Sequence, residues 1–553
     1  MRFQVLAGSV VSLGLLLVAA ACTTETIYQT VPGDTDAGSS GTSGRGSSGR
    51  GTSGTSGGEE EEGEDGGSSS GSSGSSSGGS SGGSSGNPSQ GIKSDVLAQG
   101  TLTLVGLAGD DAIYVEFSQS ANEIKAVPIG GGTPTKIADY TSDTALGVAG
   151  GAVALWTGVP ATGPRRGTLN VWTRATGLRT GVATDSVPGL FAASADGSRI
   201  AFTQAATLNG AGDALQSAAV GVRDTAAADN AATLTGETVG AGNAVNLAAT
   251  NCDPDWGFVG KVFIAAHCTG TSATAVNAKV LLVPDGATPT VTRLDANGSA
   301  TPAMQPFWLA DATASKVLYV TNSTRQVRVR EVGGDAINID TNVAQPVLLS
   351  DGSAVIYRKT SGELVKATIE ATPTKTQLAD GVKSILGVSA DRKQVLFHKL
   401  DRVQQLADLH VVDHTAATPS PVVIEATASV LPAGFNGSSS HVLFLGDVGA
   451  SGASLKSISV GGGTSKTVAQ GTVGARPVSE GNGAIILTNP KKLGQPPNTI
   501  NVFDLSFVDA VAGGQPLKIN DSMPQGEFRL KGKRLVYSKL AQQGSGLYAA
   551  TLP

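Results

Sequence analysis

The sequence predicts an all-β fold behind a long disordered leader, and three observations carry that reading. After Asn87, short runs of Val, Ile, Leu and Thr alternate with clusters of Gly, Asp, Ser and Pro. Runs of four to seven such residues between turn formers read as strands. No stretch of a dozen residues carries a helical period with caps at its ends. A two-part motif then recurs along the rest of the chain, and internal repetition is the strongest pointer to architecture.

The first part of the motif is a polar turn followed by a β run. It is sharpest in Ser194-Ala195-Asp196-Gly197-Ser198-Arg199-Ile200-Ala201-Phe202, in Ser350-Asp351-Gly352-Ser353-Ala354-Val355-Ile356-Tyr357 and in Ser389-Ala390-Asp391-Arg392-Lys393-Gln394-Val395-Leu396-Phe397. Asp-Gly supplies the positive φ that a tight hairpin needs. Looser copies surround Tyr114, Leu155, Ile264, Leu318, Leu443, Ile486 and Val536, which makes ten candidate units. The second part pairs two runs across a Gly-rich turn. Ile124-Lys125-Ala126-Val127-Pro128-Ile129-Gly130-Gly131-Gly132-Thr133 is echoed by Leu455-Lys456-Ser457-Ile458-Ser459-Val460-Gly461-Gly462-Gly463-Thr464. Together the parts make four strands in about 40–50 residues, the size of a propeller blade.

The run from Ser194 to Phe202 resembles the S-P-D-G-x-x-I-A-F signature of TolB-type, WD40-like propeller repeats, with Ala195 in place of the usual Pro. The resemblance implies a β-propeller over residues 94–553, of about 7–10 four-stranded blades. Seven or eight blades with decorating hairpins, or two smaller propellers, are the alternatives within that range. The wide spacing between Ile200 and Val262 suggests an insertion. The last run, Gly546 to Leu552, has no strands after it to complete a blade. Ring closure therefore requires a partner from the other end, expected at Thr101-Leu102-Thr103-Leu104-Val105 or its neighbours.

The leader begins with Arg2, continues through an apolar run over residues 5–21 and ends in Ala19-Ala20-Ala21-Cys22. A charged start, an apolar middle and small residues at a cleavage point are the layout of a secretory signal. The run is also about long enough to span a bilayer, so an uncleaved anchor is the competing reading. Small residues within the run and a polar tract after it favour cleavage. The segment resembles a bacterial lipobox, with Ala19 where the family usually has Leu. That resemblance implies a signal peptide at residues 1–21, lipidation of Cys22 and anchoring to a lipid bilayer through several acyl chains. By the sorting rule of that family, Thr23 points to the outer membrane, with either the periplasmic or the outer face open.

Residues 22–93 read as a tether. Residues 38–86 are almost all Ser and Gly, which cannot bury enough apolar surface to offset ordering. Such a coil has an r.m.s. reach of about 40 Å. One acidic island interrupts it, Glu59, Glu60, Glu61, Glu62, Glu64 and Asp65, read as a solvated block. These acids outweigh Arg45 and Arg50 and account for most of the net charge of −6. The folded part is then near neutral, which argues against nucleic-acid binding. The G-x-S-x-G string from Gly74 to Gly78 lacks the strand and helix that a nucleophile elbow needs, and reads as chance.

Few residues after residue 93 invite chemistry. Cys252 and Cys268 flank a predicted strand, and in an oxidising compartment a disulfide is the default, contributing about 3 kcal/mol; two unpaired buried thiols are the alternative. His410 and His414 share a strand face but sit too far apart for one metal, and with His267, His398 and His441 they read as ordinary surface or turn residues. Asp253 and Asp255, beside Trp256, make an acidic turn without a full set of calcium ligands. The Gly130 and Gly461 triplets lack a following helix and Lys, and read as hairpin turns. No catalytic set, cofactor motif or metal site emerges. The sequence thus favours a non-catalytic binding or scaffold lipoprotein of the bacterial envelope, taking protein or glycan partners through propeller loops. A propeller-based lyase or glycosidase acting on polymers is the alternative, and would need paired carboxylates or a His/Tyr/Arg cluster at the ring centre.

Overall fold

The computed structural model describes residues 91–553 except 161–164, 209–214, 228–232, 242–254, 273–274, 287–290, 299–307, 322–324, 400–406, 429–431, 450–451, 495–498, 525 and 542–543. The signal segment, Cys22 and the tether as far as residue 90, acidic island included, lie outside the described residues, as do Cys252 and Asp253.

The described residues form ten four-stranded antiparallel blades. Six are separate sheets, one eight-stranded sheet joins two blades, and one seven-stranded sheet holds two blades that share a strand. In chain order the blades cover residues 101–139, 145–186, 191–241, 255–298, 308–340, 343–379, 382–428, 432–471, 472–524 and 528–551. Within each blade the strands run from innermost to outermost. Blades 3 and 4 join where Thr233–Ala241 pairs in parallel with the distal end of Val262–Ser272. Blades 8 and 9 share Lys466–Pro477, whose first half is outermost in one and whose second half is innermost in the next.

Alternation along each strand sends successive side chains to the two neighbouring blades. The core is accordingly divided into ten apolar clusters, each drawn from two consecutive blades. Ile113, Val115 and Ile124 of blade 1 pack on Val153, Leu155 and Trp172 of blade 2. Trp156 and Leu169 of blade 2 pack on Phe191, Ile200 and Phe202 of blade 3. The series continues around the chain and returns to its start, where Val536, Leu547 and Ala549 of blade 10 meet Leu104, Ala112 and Tyr114 of blade 1. Each fully buried Leu, Val, Ile or Phe contributes roughly 1.5–3 kcal/mol relative to exposure. The cyclic order of these clusters makes the chain one closed β-propeller of ten blades, the upper end of the range expected from sequence, and excludes two smaller rings.

Closure uses the N-terminal neighbour of the expected strand. Ser94–Gln99 supplies the outermost strand of blade 10 by pairing with Gly546–Thr551, in register from Ser94 opposite Ala550 to Gln99 opposite Gly546. Thr101–Ala108 pairs instead with Asp111–Phe117 inside blade 1. Tyr537 donates its hydroxyl to Ser94 Oγ at 2.8 Å, and the Ile92 amide donates to the Lys518 carbonyl of blade 9 at 3.0 Å. The Ile200–Val262 spacing holds no separate inserted element among the described residues. It is taken up by the long strands Arg199–Leu208, Leu215–Asp224 and Thr233–Ala241 of blade 3 and by the innermost strand of blade 4, Asp255–Val259.

Turns after the innermost strands lie on one face of the ring and stitch blade to blade. In blade 3 the Asp196 carboxylate accepts from Ser194 Oγ at 2.6 Å and from the Ser198 amide at 2.9 Å, so the recurrent Ser and Asp are turn-building residues. Asp351 and Asp391 repeat the arrangement with Ser353 and Ser389. Successive turns bond to one another: the Gly109 amide to Gly150, Gly151 to Ser194, Ala312 to Ser350 and Ser438 to Gly481, all at 2.7–2.9 Å.

Candidate functional site

The opposite face carries the hairpins between second and third strands together with the blade-to-blade connections. It is the irregular face. Second strands are 6 or 7 residues long in blades 1, 2, 5, 6, 7 and 10. In blades 3, 4, 8 and 9 they reach 10, 11, 9 and 11 residues. All start directly after their turn, so the surplus length projects from the hairpin face.

The innermost strands border the central channel. Among the described residues these strands carry one carboxylate, Asp255, and four cations, Lys383, Arg476, Arg529 and Lys531. Asp255 opens the innermost strand of blade 4 at the hairpin-face end. Burial pushes its carboxyl up to about 6, against a partial pull downward from the Trp308 backbone amide. Trp308, which opens the innermost strand of blade 5, donates its indole N–H to the Asp255 carbonyl at 3.0 Å. Gly257 allows this approach, since a Cβ there would lie 2.9 Å from the Trp308 ring. Trp256 stands edge-on to Phe263 at 5.5 Å and beside His267 at 6.4 Å. Two of the cations are engaged in joining blade 10 to blade 1: Lys531 reaches Asp110 at 2.8 Å and Arg529 donates to the Val105 carbonyl at 3.2 Å.

Sequence had placed Asp255 in an acidic turn; it begins a strand that borders the channel. The histidines are also placed differently. His267, His398 and His410 are buried on strands rather than at the surface or in turns, while His414 lies in a turn, as one of the expected placements has it, but is buried there. His410 stacks on Phe397 with ring centroids 5.5 Å apart, and His414 Nε2 lies 2.6 Å from the Arg392 carbonyl. Burial holds the imidazoles of His398, His410 and His414 below the ordinary histidine value. No group of three or more His, Cys, Asp or Glu suited to a metal ion occurs among the described residues. Cys268 lies on Val262–Ser272 opposite Ala278, while its expected partner is outside the described residues. The Gly130 and Gly461 triplets form turns, with Gly131, Gly132, Gly462 and Gly463 at positive φ.

No protein-family model matches the chain, and no curated protein resembles it in sequence. Solved structures align with it in fold only. A eukaryotic initiation factor aligns at 12% identity with a TM-score of 0.41, covering 69% of this chain and 90% of that one. The tricorn protease aligns at 13% identity and a TM-score of 0.32, over 81% of this chain and 45% of its own. TolB from Acinetobacter baumannii aligns at 13% and 0.25, over 51% and 79%. These are likenesses of fold at low identity, spread over proteins of unlike name. The ring assignment rests on the chain's own strand order and core.

Proposed function

We propose that this protein is a tethered, non-catalytic binding propeller of the bacterial envelope, anchored through acylated Cys22 at the outer membrane. The observation that carries the binding reading is the contrast between the two faces. On one face the turns of several neighbouring blades are hydrogen-bonded to one another, and the other face is built up unequally in four blades. Rigid frames that vary in their loops are how binding surfaces are made. The composition of the leader supports the anchor and the Ser/Gly tract supports a flexible tether. Two measurements test this reading. Metabolic labelling with an alkyne fatty acid should mark the native chain and fail on Cys22→Ser. The full chain, immobilised, should retain at least one component of an envelope extract saturably. A chain without acyl label, or without saturable retention, overturns it.

The enzymatic alternative has one observation in its favour. A carboxyl held near 6 at a channel mouth is poised for general acid–base work at neutral pH. Lyase or glycosidase activity would then depend on Asp255. Release of reducing ends or unsaturated products from a polysaccharide panel, abolished in Asp255→Asn, would establish it.

A further inference from the structure

At the hairpin-face mouth of the channel, blades 6 and 7 present cations that the fold leaves unmatched. Arg358 stands near the hairpin end of Ala354–Lys359, the second strand of blade 6. Ala354 and Ile356, of the same parity along that strand, pack on Val382, Ile385 and Val395 of blade 7. Alternation therefore turns Arg358 toward blade 7. It lies opposite Gln345, whose Oε1 accepts from the Ile385 amide at 3.0 Å. The guanidinium is thus set beside the crevice between the innermost strands of blades 6 and 7. Its Nε is buried without a hydrogen-bond partner, and no carboxylate pairs with it among the described residues.

The surroundings add positive charge. Burial holds the Arg358 guanidinium below the ordinary arginine value, and the charge of Arg325 in blade 5 lowers it further. The Arg325 carbonyl accepts from the Val343 amide at 3.1 Å, where the innermost strand of blade 6 begins. Lys383 is the second residue of the innermost strand of blade 7, two before Ile385. A register shift between Val382 and Ser384 leaves Lys383 without a cross-strand partner, exposed and with no ion pair among the described residues. The acids of this sector are already engaged. Asp340 is held by Tyr357, Lys375 and Lys359, and Glu363 accepts from the Ser361 hydroxyl at 3.2 Å. Asp380 lies 3.3 Å from Lys399, and Asp408 lies 3.9 Å from His410. A cation drawn half out of water with no counter-charge is unfavourable, and an anion from solution relieves it.

We propose that this crevice binds a small, multiply charged oxyanion, carboxylate or phosphate, held between Arg358 and Lys383. The inference rests on the binding reading above and names its ligand class. A guanidinium offers two coplanar Nη groups, which match two oxygens of a carboxylate or a phosphate. The Lys383 ammonium, a compact charge on a flexible stem, takes a second anionic group of the same ligand. Low-dielectric walls around the mouth focus the field of both cations. Asp255, the carboxylate of the innermost strands, stands two blades from blade 6 and does not neutralise the pair.

Calorimetric melting of the full chain tests it, in citrate, in pyrophosphate and in sodium chloride of matched ionic strength. A saturable rise in melting temperature is expected with citrate or pyrophosphate and not with sodium chloride. The more effective of the two anions tells carboxylate from phosphate. The concentration giving half the rise should increase at least fivefold in Arg358→Met and in Lys383→Ala. Lys492→Ala, on the outer hairpin of blade 9, controls for a general loss of surface charge and should respond like the parent. Should Arg358→Met fail to fold, Lys383→Ala decides alone. No rise with either anion, a rise matched by sodium chloride, or equal half-rise concentrations in parent and Lys383→Ala overturns the proposal. If the chain ignores both anions yet retains an envelope component saturably, the oxyanion inference falls and the binding reading stands. If it answers to an anion but retains no envelope component, the oxyanion site stands and the envelope-partner reading falls.

Discussion

Tyr357 of blade 6 donates its hydroxyl to Asp340 Oδ2 at 2.7 Å, across the interface with blade 5. Lys375 and Lys359 approach the same carboxylate at 2.9 and 3.3 Å. Burial by itself would raise the Asp340 carboxyl, but the bonds from Tyr357 and Lys375 outweigh it and pull it down to about 2. Asp340→Ala leaves the buried Tyr357 hydroxyl without its acceptor and should cost about 1–3 kcal/mol. A carboxyl lowered on folding stabilises above its unfolded value near 4, and that stability is lost as pH falls toward 2. Calorimetric melting of the parent should decline over that interval, and the Asp340→Ala curve should be flatter there.

Gly151 offers a second test, of the turn belt. A Cβ at this position would lie 2.4 Å from the Gly197 nitrogen and 2.8 Å from the Ala195 carbonyl oxygen, both backbone atoms of the next blade. Gly151→Ala must push the two turns apart and weaken the 2.9 Å bond from its amide to Ser194. A loss of about 1–3 kcal/mol follows from overpacking. Gly177→Ala is the control: its φ is +65° but nothing lies within 4 Å, so only the roughly 1–2 kcal/mol backbone penalty applies. Equal melting temperatures for Gly151→Ala and the parent would show that the blades do not depend on this contact.

The closing seam gives a third. Leu547 is fully buried between blades 10 and 1, and Tyr537 stacks on Tyr548 at 5.7 Å. Leu547→Ala should cost about 2–5 kcal/mol. Removal of residues 546–553 should cost more, because it takes away the partner of both Ser94–Gln99 and Arg534–Lys539. Limited proteolysis should then cut first near residue 94. A truncated protein that melts with the parent contradicts closure by this strand.

Blade 7 predicts acid sensitivity. His398 and His410 are buried, and burial first, then nearby Lys383 and Lys399, keeps them neutral. The folded state thus binds fewer protons than the unfolded one. Their contribution is complete above pH 6.5 and declines as pH falls below it. Asp255 acts with the opposite sign: raised to about 6, its contribution is complete below pH 4 and is lost as pH rises through 6. Between pH 7.5 and 5, the denaturant midpoint of Asp255→Asn should fall more steeply than the parent's. That of His410→Gln should fall less steeply. The reverse order would place the protons elsewhere.

The turn from Ser194 to Arg199 was legible because its Asp and Gly are both required locally, one to accept amide hydrogens and one for positive φ. The corresponding turn of blade 5 hides the same geometry: Asp311 accepts from the Lys316 amide at 2.7 Å, but Ala314 takes the positive φ, so the Gly signal is missing. The buried histidines were misread because their strand neighbours, Leu396 and Val412, point to opposite blades, and both faces of a propeller strand are interior. Of the unequal hairpins only blade 3 left a mark, as the wide Ile200–Val262 spacing, since Thr, Ala and Val extend a strand beyond its blade as readily as within it. Asp255 was noticed, but its place at the channel follows only from ring closure.

Ring closure also dictates an order of events during synthesis. Ser94 leaves the ribosome 443 residues before Tyr537, the residue to which it bonds in the finished seam. Until the last blade emerges, Ser94–Gln99 has no partner, and blade 1 shows a bare apolar flank. Contacts this distant in the chain make assembly slow and leave intermediates prone to clumping. The nascent chain must therefore be kept in solution while it waits, and its need for a holding factor should exceed that of a helical protein of equal length.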